Sequence, residues 1–260
     1  MTTMAKLTGA LRILVLNPRE FWCKLKALLG ARRRGRVQHG QADIGALGLS
    51  DIFPESALAH EYCRGKGLEV GGSAHNPFGL DTLNVDMDGS MDTVFKKEEV
   101  RLCGRALKVD IVASGDAIPL PDEGQDFVVS SHVIEHFPNP IKALLEWDRL
   151  VKPGGVIFMI VPHKERTFDK DAPLTSVEHL VKDFENDTTE SGGQSPFHDH
   201  CWITETFVEF VRHVIDRFGL KWEIAEVQDV DDKVGNGFTL VVRKQHTRDA
   251  AAAVPHRRSR

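Results

Sequence analysis

Residues 108–161 read KVDIVASGDAIPLPDEGQDFVVSSHVIEHFPNPIKALLEWDRLVKPGGVIFMIV, and this stretch decides the fold. FVVSS, Phe127 to Ser131, is short, apolar and β-branched, as a buried strand requires. Asn139 followed by Pro140 marks a helix start: the Asn side chain accepts from free first-turn amides, and Pro at the first helical position gives up no bond. Apolar Ile141, Leu144, Leu145, Trp147, Leu150 and Val151 recur at helical spacing. Lys152-Pro153-Gly154-Gly155 then predicts the helix stop, and six apolar residues, Val156 to Val161, predict the next strand. A strand, a covering helix and a second buried strand make a right-handed parallel unit. Such a unit puts ligands at the carboxyl ends of its strands.

The whole chain has 260 residues, which suits one α/β domain with appendages. Its hydrophobic content of 41% and charged content of 27% are those of a soluble globular protein. Cys23, Cys63, Cys103 and Cys201 lack the paired spacing of a zinc or redox motif, which points to a reducing cytoplasm. No apolar run approaches the roughly 18 residues that span a bilayer. The first apolar stretch is cut by Arg12 and Pro18, against a signal peptide. The net charge of -5 conceals an asymmetry: residues 1–40 hold 9 Lys/Arg and 1 acid, residues 243–260 hold 6 and 1, and the body between is strongly acidic. An acidic body argues against a nucleic-acid partner. The basic first forty residues carry Phe21, Trp22, Leu25, Leu28 and Leu29 among their charges. This pattern suits peripheral contact with an anionic membrane, such as the inner face of a cell membrane, or docking on a partner; a core-packed helix is the plainer reading.

Working outward, residues 1–52 read as a basic amphipathic segment and linker, 53–244 as the main domain, and 245–260 as a disordered tail. Pro54 to Arg64 can form a helix. Gly67-Leu68-Glu69-Val70-Gly71-Gly72 predicts a first strand and its glycine turn, and Thr82 to Asp86 a second strand ending in an acid. A carboxylate there can accept both hydroxyl hydrogens of a ribose; Asp88 is the alternative acid. Met91 to Leu102 predicts a covering helix and Leu107 to Val112 a third strand. Thr175 with Glu178 reads as a capping box before Val177, Leu180, Val181 and Phe184 on one helical face. A helix is expected over Thr206 to Phe218. Lys221 to Val227 and Phe238 to Val242 read as two last, antiparallel strands at the sheet edge.

Three features in this order, Gly115-Asp116-Ala117 before a Pro-rich turn, HVIEHF directly after a strand, and Leu150-Val151-Lys152-Pro153-Gly154-Gly155 before the next, resemble the class I S-adenosylmethionine-dependent methyltransferases. The likeness runs from Gly67 to Val161. It implies a three-layer α/β sandwich with a seven-stranded, mostly parallel sheet, and S-adenosylmethionine as cofactor. It also implies a cofactor site of Glu69, Gly71, Gly72, Asp86, Asp116, Ala117 and Ser131, with Asp116 and the Ala117 backbone near the adenine. Ser73 and His75 stand where the family places further glycines. The stretch RTFDKDAPLTSVEHL, followed by a histidine pair, resembles methyltransferases of bacterial polysaccharide pathways. A sugar or glycan hydroxyl is accordingly the expected acceptor, a phenolic or lipid-like metabolite the second choice, and a catalytically silent binding domain of the same fold the rival class.

Removing a hydroxyl proton near neutral pH suits histidine. His132 and His163 follow strands at the ligand-binding edge, and His200 lies in the insertion, about residues 163–202, expected to build the acceptor pocket. These three are the candidate bases. His-x-x-Glu-His also occurs as a helical zinc motif in metallopeptidases, but Phe137-Pro138-Asn139-Pro140 allows that helix only one turn. His198 and His200 alternate and could face one ligand, yet no clear third ligand accompanies them. Hydrogen-bonded histidines are therefore expected, and no metal.

Overall fold

The structure is a computed structural model that describes residues 55–72, 78–190 and 198–246. The basic segment 1–40, the linker to residue 52 and residues 247–260 of the expected tail lie outside the described residues. One sheet is formed by β1 (Gly67–Val70), β2 (Thr82–Asp86), β3 (Ile111–Val112), β4 (Gln125–Ser131), β5 (Val151–Pro162), β6 (Trp222–Gln228) and β7 (Gly237–Lys244). Their order across it is β3-β2-β1-β4-β5-β7-β6. Strand β1 pairs in parallel with both β2 and β4, Gly67 lying opposite Thr82 on one side and Phe127 on the other. The chain thus winds outward from β1 one way and from β4 the other, and the crevice at their carboxyl ends is the place where such sheets bind ligands. Strand β7 is antiparallel to β5 and β6, with Gly237 opposite Pro162. The loop entering β7 therefore returns to that same edge.

Buried faces alternate along the central strands with the period of two that a pleated strand imposes. Val128, Ile157, Met159 and Val161 join one cluster, which includes Trp147, Leu150, Phe207, Phe210 and Val214; Phe127, Val129, Val156, Phe158 and Ile160 join a second, with Ala59 and Phe78. The five α-helices among the described residues are α1 (Ala57–Tyr62), α2 (Val94–Cys103), α3 (Pro140–Leu150), α4 (Val177–Glu185) and α5 (Thr204–Phe218). Helix α3 starts as expected. The Asn139 side chain accepts from the Lys142 amide at 3.1 Å, Pro140 opens the first turn, and Ile141, Ala143, Leu144, Trp147 and Leu150 are buried. The architecture is the expected seven-stranded, mostly parallel α/β sheet of the Rossmann-like methyltransferase fold, with β7 alone reversed.

Three details differ from the sequence reading. Val151 begins β5 instead of ending α3, and Lys152 to Gly155 form a bulge within that strand, where pairing jumps from Gln125–Val151 to Phe127–Val156. Gly154, at φ 87°, supplies the left-handed step. The third strand shrinks to two residues because the Asp110 carboxylate takes the Asn84 amide at 3.0 Å and Lys108 accepts from the Asn84 side chain at 3.1 Å. Side chains there supplement a ladder in which the Asp110 amide donates to the Asn84 carbonyl at 2.9 Å. Finally, Ser176, not Thr175, caps α4, accepting from the His179 amide at 3.3 Å, while the Thr175 hydroxyl accepts from the Cys201 amide at 2.9 Å. The expected helix is present, but Thr175 ties the inserted segment to the domain.

Candidate functional site

The carboxyl edge of β1, β2 and β4 gathers most of the residues singled out for the cofactor. Gly71 follows β1 at φ 68°, and its amide donates to Val85 of β2 at 2.8 Å. A Cβ there would lie 2.6 Å from a Val133 methyl, so the turn is pressed against the segment leaving β4 and only glycine fits. Gly72 is buried, and its carbonyl accepts from Lys96 at 3.0 Å. Glu69 is 3% exposed. One of its oxygens faces Thr82 at 3.5 Å and the other is buried without a hydrogen-bond partner. Burial raises its pKa to about 7, against the opposing pull of Lys233 and Lys96. Asp86, ending β2, is raised above the usual carboxylate range by burial, while one of its oxygens accepts from the Asp88 amide at 3.0 Å.

Asp116 and Ala117 lie in the loop after β3. Asp116 accepts from the Ser114 hydroxyl and sits 3.8 Å from Lys142. The Ala117 amide donates to Ser114 at 3.0 Å, so an incoming ring edge would share that amide. This loop is held from below by Trp147 of α3, whose indole N–H donates to the Gly115 carbonyl at 2.8 Å. The Ser131 hydroxyl is buried without a hydrogen-bond partner at the end of β4. A glycine turn, two orphaned oxygens and an acid on the neighbouring strand suit a ligand with an amino-acid end and a ribose.

On the acceptor side the structure separates the three candidate histidines. His132 follows β4 at φ 56°, a left-handed conformation costly for a residue with a side chain, of the sort that gathers at functional sites. His163 is 8% exposed and its Nδ1 accepts from the Glu165 amide at 3.2 Å; burial first, then Arg166, pushes its pKa down. His200 is buried, its Nε2 lies 3.0 Å from the Phe137 carbonyl and so carries the proton, and burial pushes it down to about 4. It braces the turn after β4. His198 and His200, which by alternation could face one ligand, diverge into separate hydrogen bonds: His198 meets Asp169 at 2.6 Å and His200 packs on His179 and Trp202. The turn Ile134–His136 is one 3-10 turn, and it groups Glu135 and His136 with His198, leaving His132 out. The helical zinc-peptidase arrangement is therefore not formed.

Sequence reasoning missed three site residues. Lys96 and Glu99 form a buried ion pair at 2.9 Å on α2, with Glu99 also accepting from the Leu107 amide at 2.8 Å. Lys233 is fully buried, its ammonium 4.5 Å from the centre of the Phe78 ring. It comes from the loop between β6 and β7, where the Asp231 carboxylate accepts from the amides of Lys233, Val234, Gly235 and Gly237. The only available signal was the spacing of Asp231 before two glycines.

Residues 64–159 match the protein family described as "Methyltransferase domain". This stretch is similar to that family over about a third of the chain. Such a domain implies S-adenosylmethionine as its cofactor, in agreement with the acids and glycine turn just described. The chain is 34% identical over 142 residues to an uncharacterized protein of Methanocaldococcus jannaschii, covering 48% of this chain and 65% of that one. It is 45% identical over 102 residues to an uncharacterized methyltransferase of Mycobacterium bovis, covering 35% and 37%. The chain thus spans less than two thirds of either relative. Among solved structures it is similar to a Thermotoga maritima protein titled an S-adenosylmethionine-dependent methyltransferase, possible histamine N-methyltransferase. That similarity has 16% identity and a TM-score of 0.46, over 86% of this chain and 100% of the other.

Proposed function

We propose that this chain transfers a methyl group from S-adenosylmethionine to an oxygen, the acceptor being a hydroxyl of a sugar or glycan intermediate. The observation that carries the reading is the convergence of Glu69, the Gly71 turn and Asp86 on the carboxyl edge, where His132 also follows β4. When bound, S-adenosylmethionine supplies an electrophilic methyl carbon on a sulfonium. Asp86 would accept from the ribose hydroxyls, the Gly71–Gly72 backbone and Glu69 would hold the amino-acid end, and Asp116 with the Ala117 amide would hold the adenine. Ser131 offers its orphaned hydroxyl beside them.

On the acceptor side, His132 is the general base in this reading. His200 spends its Nε2 proton on Phe137, and His163 receives the Glu165 amide on Nδ1. His132 follows β4 at the carboxyl edge in a left-handed backbone conformation. Its role is to take the hydroxyl proton as the oxygen attacks the sulfonium methyl and the thioether leaves. A polar, hydroxyl-rich acceptor suits an inserted segment rich in His and Asp.

The test is incubation of the full chain with isotopically labelled S-adenosylmethionine and a panel of nucleotide-linked and lipid-linked sugars, read by mass spectrometry. One labelled methyl on a sugar oxygen supports the reading. Transfer only to nitrogen or to phenols would overturn the acceptor class, and no binding of S-adenosylhomocysteine by folded protein would overturn the activity. We also propose, from the charge and aromatic content of residues 1–40, peripheral contact with an anionic membrane. Among the described residues no helix is long and apolar enough to cross a membrane. Sedimentation with anionic vesicles should pull down the full chain in a salt-sensitive manner, and equal partitioning of a chain lacking residues 1–40 would refute it.

A further inference from the structure

The turn after β4 and the inserted segment meet at a group of side chains that the methyl-transfer reading leaves unused. Glu135 is 0% exposed, and both of its carboxylate oxygens lack a hydrogen-bond partner. A buried carboxylate in that position is costly unless something cationic faces it. Two imidazoles approach it: His136 Nε2 lies 3.6 Å and His198 Nε2 3.9 Å from the same carboxylate oxygen, Oε1. Both separations are too long for hydrogen bonds. They match instead the edges of a coordination sphere, since metal bonds of about 2.0–2.1 Å at tetrahedral angles place ligand atoms about 3.4 Å apart.

His198 is oriented from behind. Its Nδ1 lies 2.6 Å from Asp169 Oδ2, so the Nδ1 proton is held by that carboxylate and Nε2 is turned toward Glu135. Asp169 is itself 3% exposed and accepts from the Thr167 hydroxyl at 3.1 Å. The backbone brings the two segments together: the amides of Asp199 and His200 donate to the Glu135 carbonyl at 3.0 and 3.1 Å. The ligands are thus pre-assembled by contacts that no metal makes. His136 remains about one-third exposed, at 33%, and leaves an open side where water or a hydroxyl oxygen completes the sphere.

We propose that Glu135, His136 and His198 bind one divalent transition-metal ion, zinc by the ligand chemistry, with Asp169 as the residue that positions His198. Two imidazoles and one carboxylate with one open position form a zinc-type donor set. The neighbouring group of His179, Asp183 and His200 is a poorer candidate, because His179 already pairs with Asp183 at 3.2 Å and His200 Nε2 is committed to Phe137. The site stands independently of the acceptor assignment, since its test needs no methyl donor.

Untagged full-length protein, stripped with a chelator and dialysed, is titrated with Zn²⁺ by calorimetry and with Co²⁺ by visible absorption. One equivalent per chain is expected, with intense cobalt bands of a four- or five-coordinate site that zinc displaces. Asp169→Asn should weaken binding by roughly 10- to 100-fold, and Glu135→Gln and His136→Ala should weaken it further. His179→Ala should leave it unchanged. Circular dichroism establishes which variants fold. If the Glu135 variant does not, zinc-edge X-ray absorption of the wild type decides, with nitrogen and oxygen neighbours and no sulfur expected. Less than one tenth of an equivalent bound by folded wild type, a thiolate signature, or binding by folded Glu135→Gln within about threefold of wild type each overturns the site.

Discussion

Replacing Gly71 by Ala tests whether the glycine turn is set by the wall behind it. The left-handed conformation, φ 68°, costs a residue with a Cβ about 1–2 kcal/mol. The added methyl would also lie 2.6 Å from one Val133 methyl and 3.2 Å from the other, an overlap of the kind that costs about 1–3 kcal/mol when a packed region must shift. Together the two effects predict a loss of about 2–5 kcal/mol. They are separable, because Val133→Ala removes the overlap and leaves the backbone cost. In urea melts followed by circular dichroism, the double variant should recover about 1–3 kcal/mol relative to the sum of the single changes. S-adenosylhomocysteine binding should stay weakened in both Gly71 variants. A single-variant loss below about 0.5 kcal/mol, or a double variant that simply adds, would refute the account of this turn.

Glu69→Gln should flatten part of the pH dependence of stability. Burial raises the folded pKa from 4.5 to about 7, so the folded chain keeps a proton that the unfolded chain releases. That contribution is full below pH 4.5 and is lost as pH rises through about 7; chemical melts across this window should slope downward in wild type and less so in the variant. Trp147→Phe leaves the Gly115 carbonyl without its donor and should cost about 1–3 kcal/mol, with weaker S-adenosylhomocysteine binding as the Asp116 loop loosens. Asp86→Ala should weaken that ligand by roughly 10- to 100-fold in calorimetry while the melting transition stays near that of wild type.

The parallel core was legible because its signals are local. Apolar β-branched runs, Asn139-Pro140 and a glycine turn each state their role within a few residues, and β1, β2, α3 and β7 fall within one or two residues of the expected bounds. The bulge at Lys152–Gly155 was read as a helix stop because Pro and Gly break either element; only the partner strand shows which. The histidines were harder. His198 and His200 alternate in sequence, yet the Glu135 carbonyl takes the amides of Asp199 and His200, and the two rings go to different neighbours. Asp169 and Lys233 owe their roles to groups elsewhere in the chain, His198 and Glu69, which nothing beside them in sequence announces. The same holds for His132, whose backbone conformation is set by the packing of the turn and not by its residue type.

The reversal of β7 also has a consequence for the growing chain. When synthesis has reached Pro162, β5 can already pair with β4, but its other edge, with the apolar run Val156–Val161, has no neighbour. The strand that covers it begins only at Gly237, after the whole inserted segment, α5 and β6 have been made. At roughly 5–20 residues per second, this edge stays open for several seconds on each ribosome. An unpaired apolar edge is a template for pairing with other chains. The same late hairpin delivers Lys233, so the buried cation whose charge acts on Glu69 arrives last.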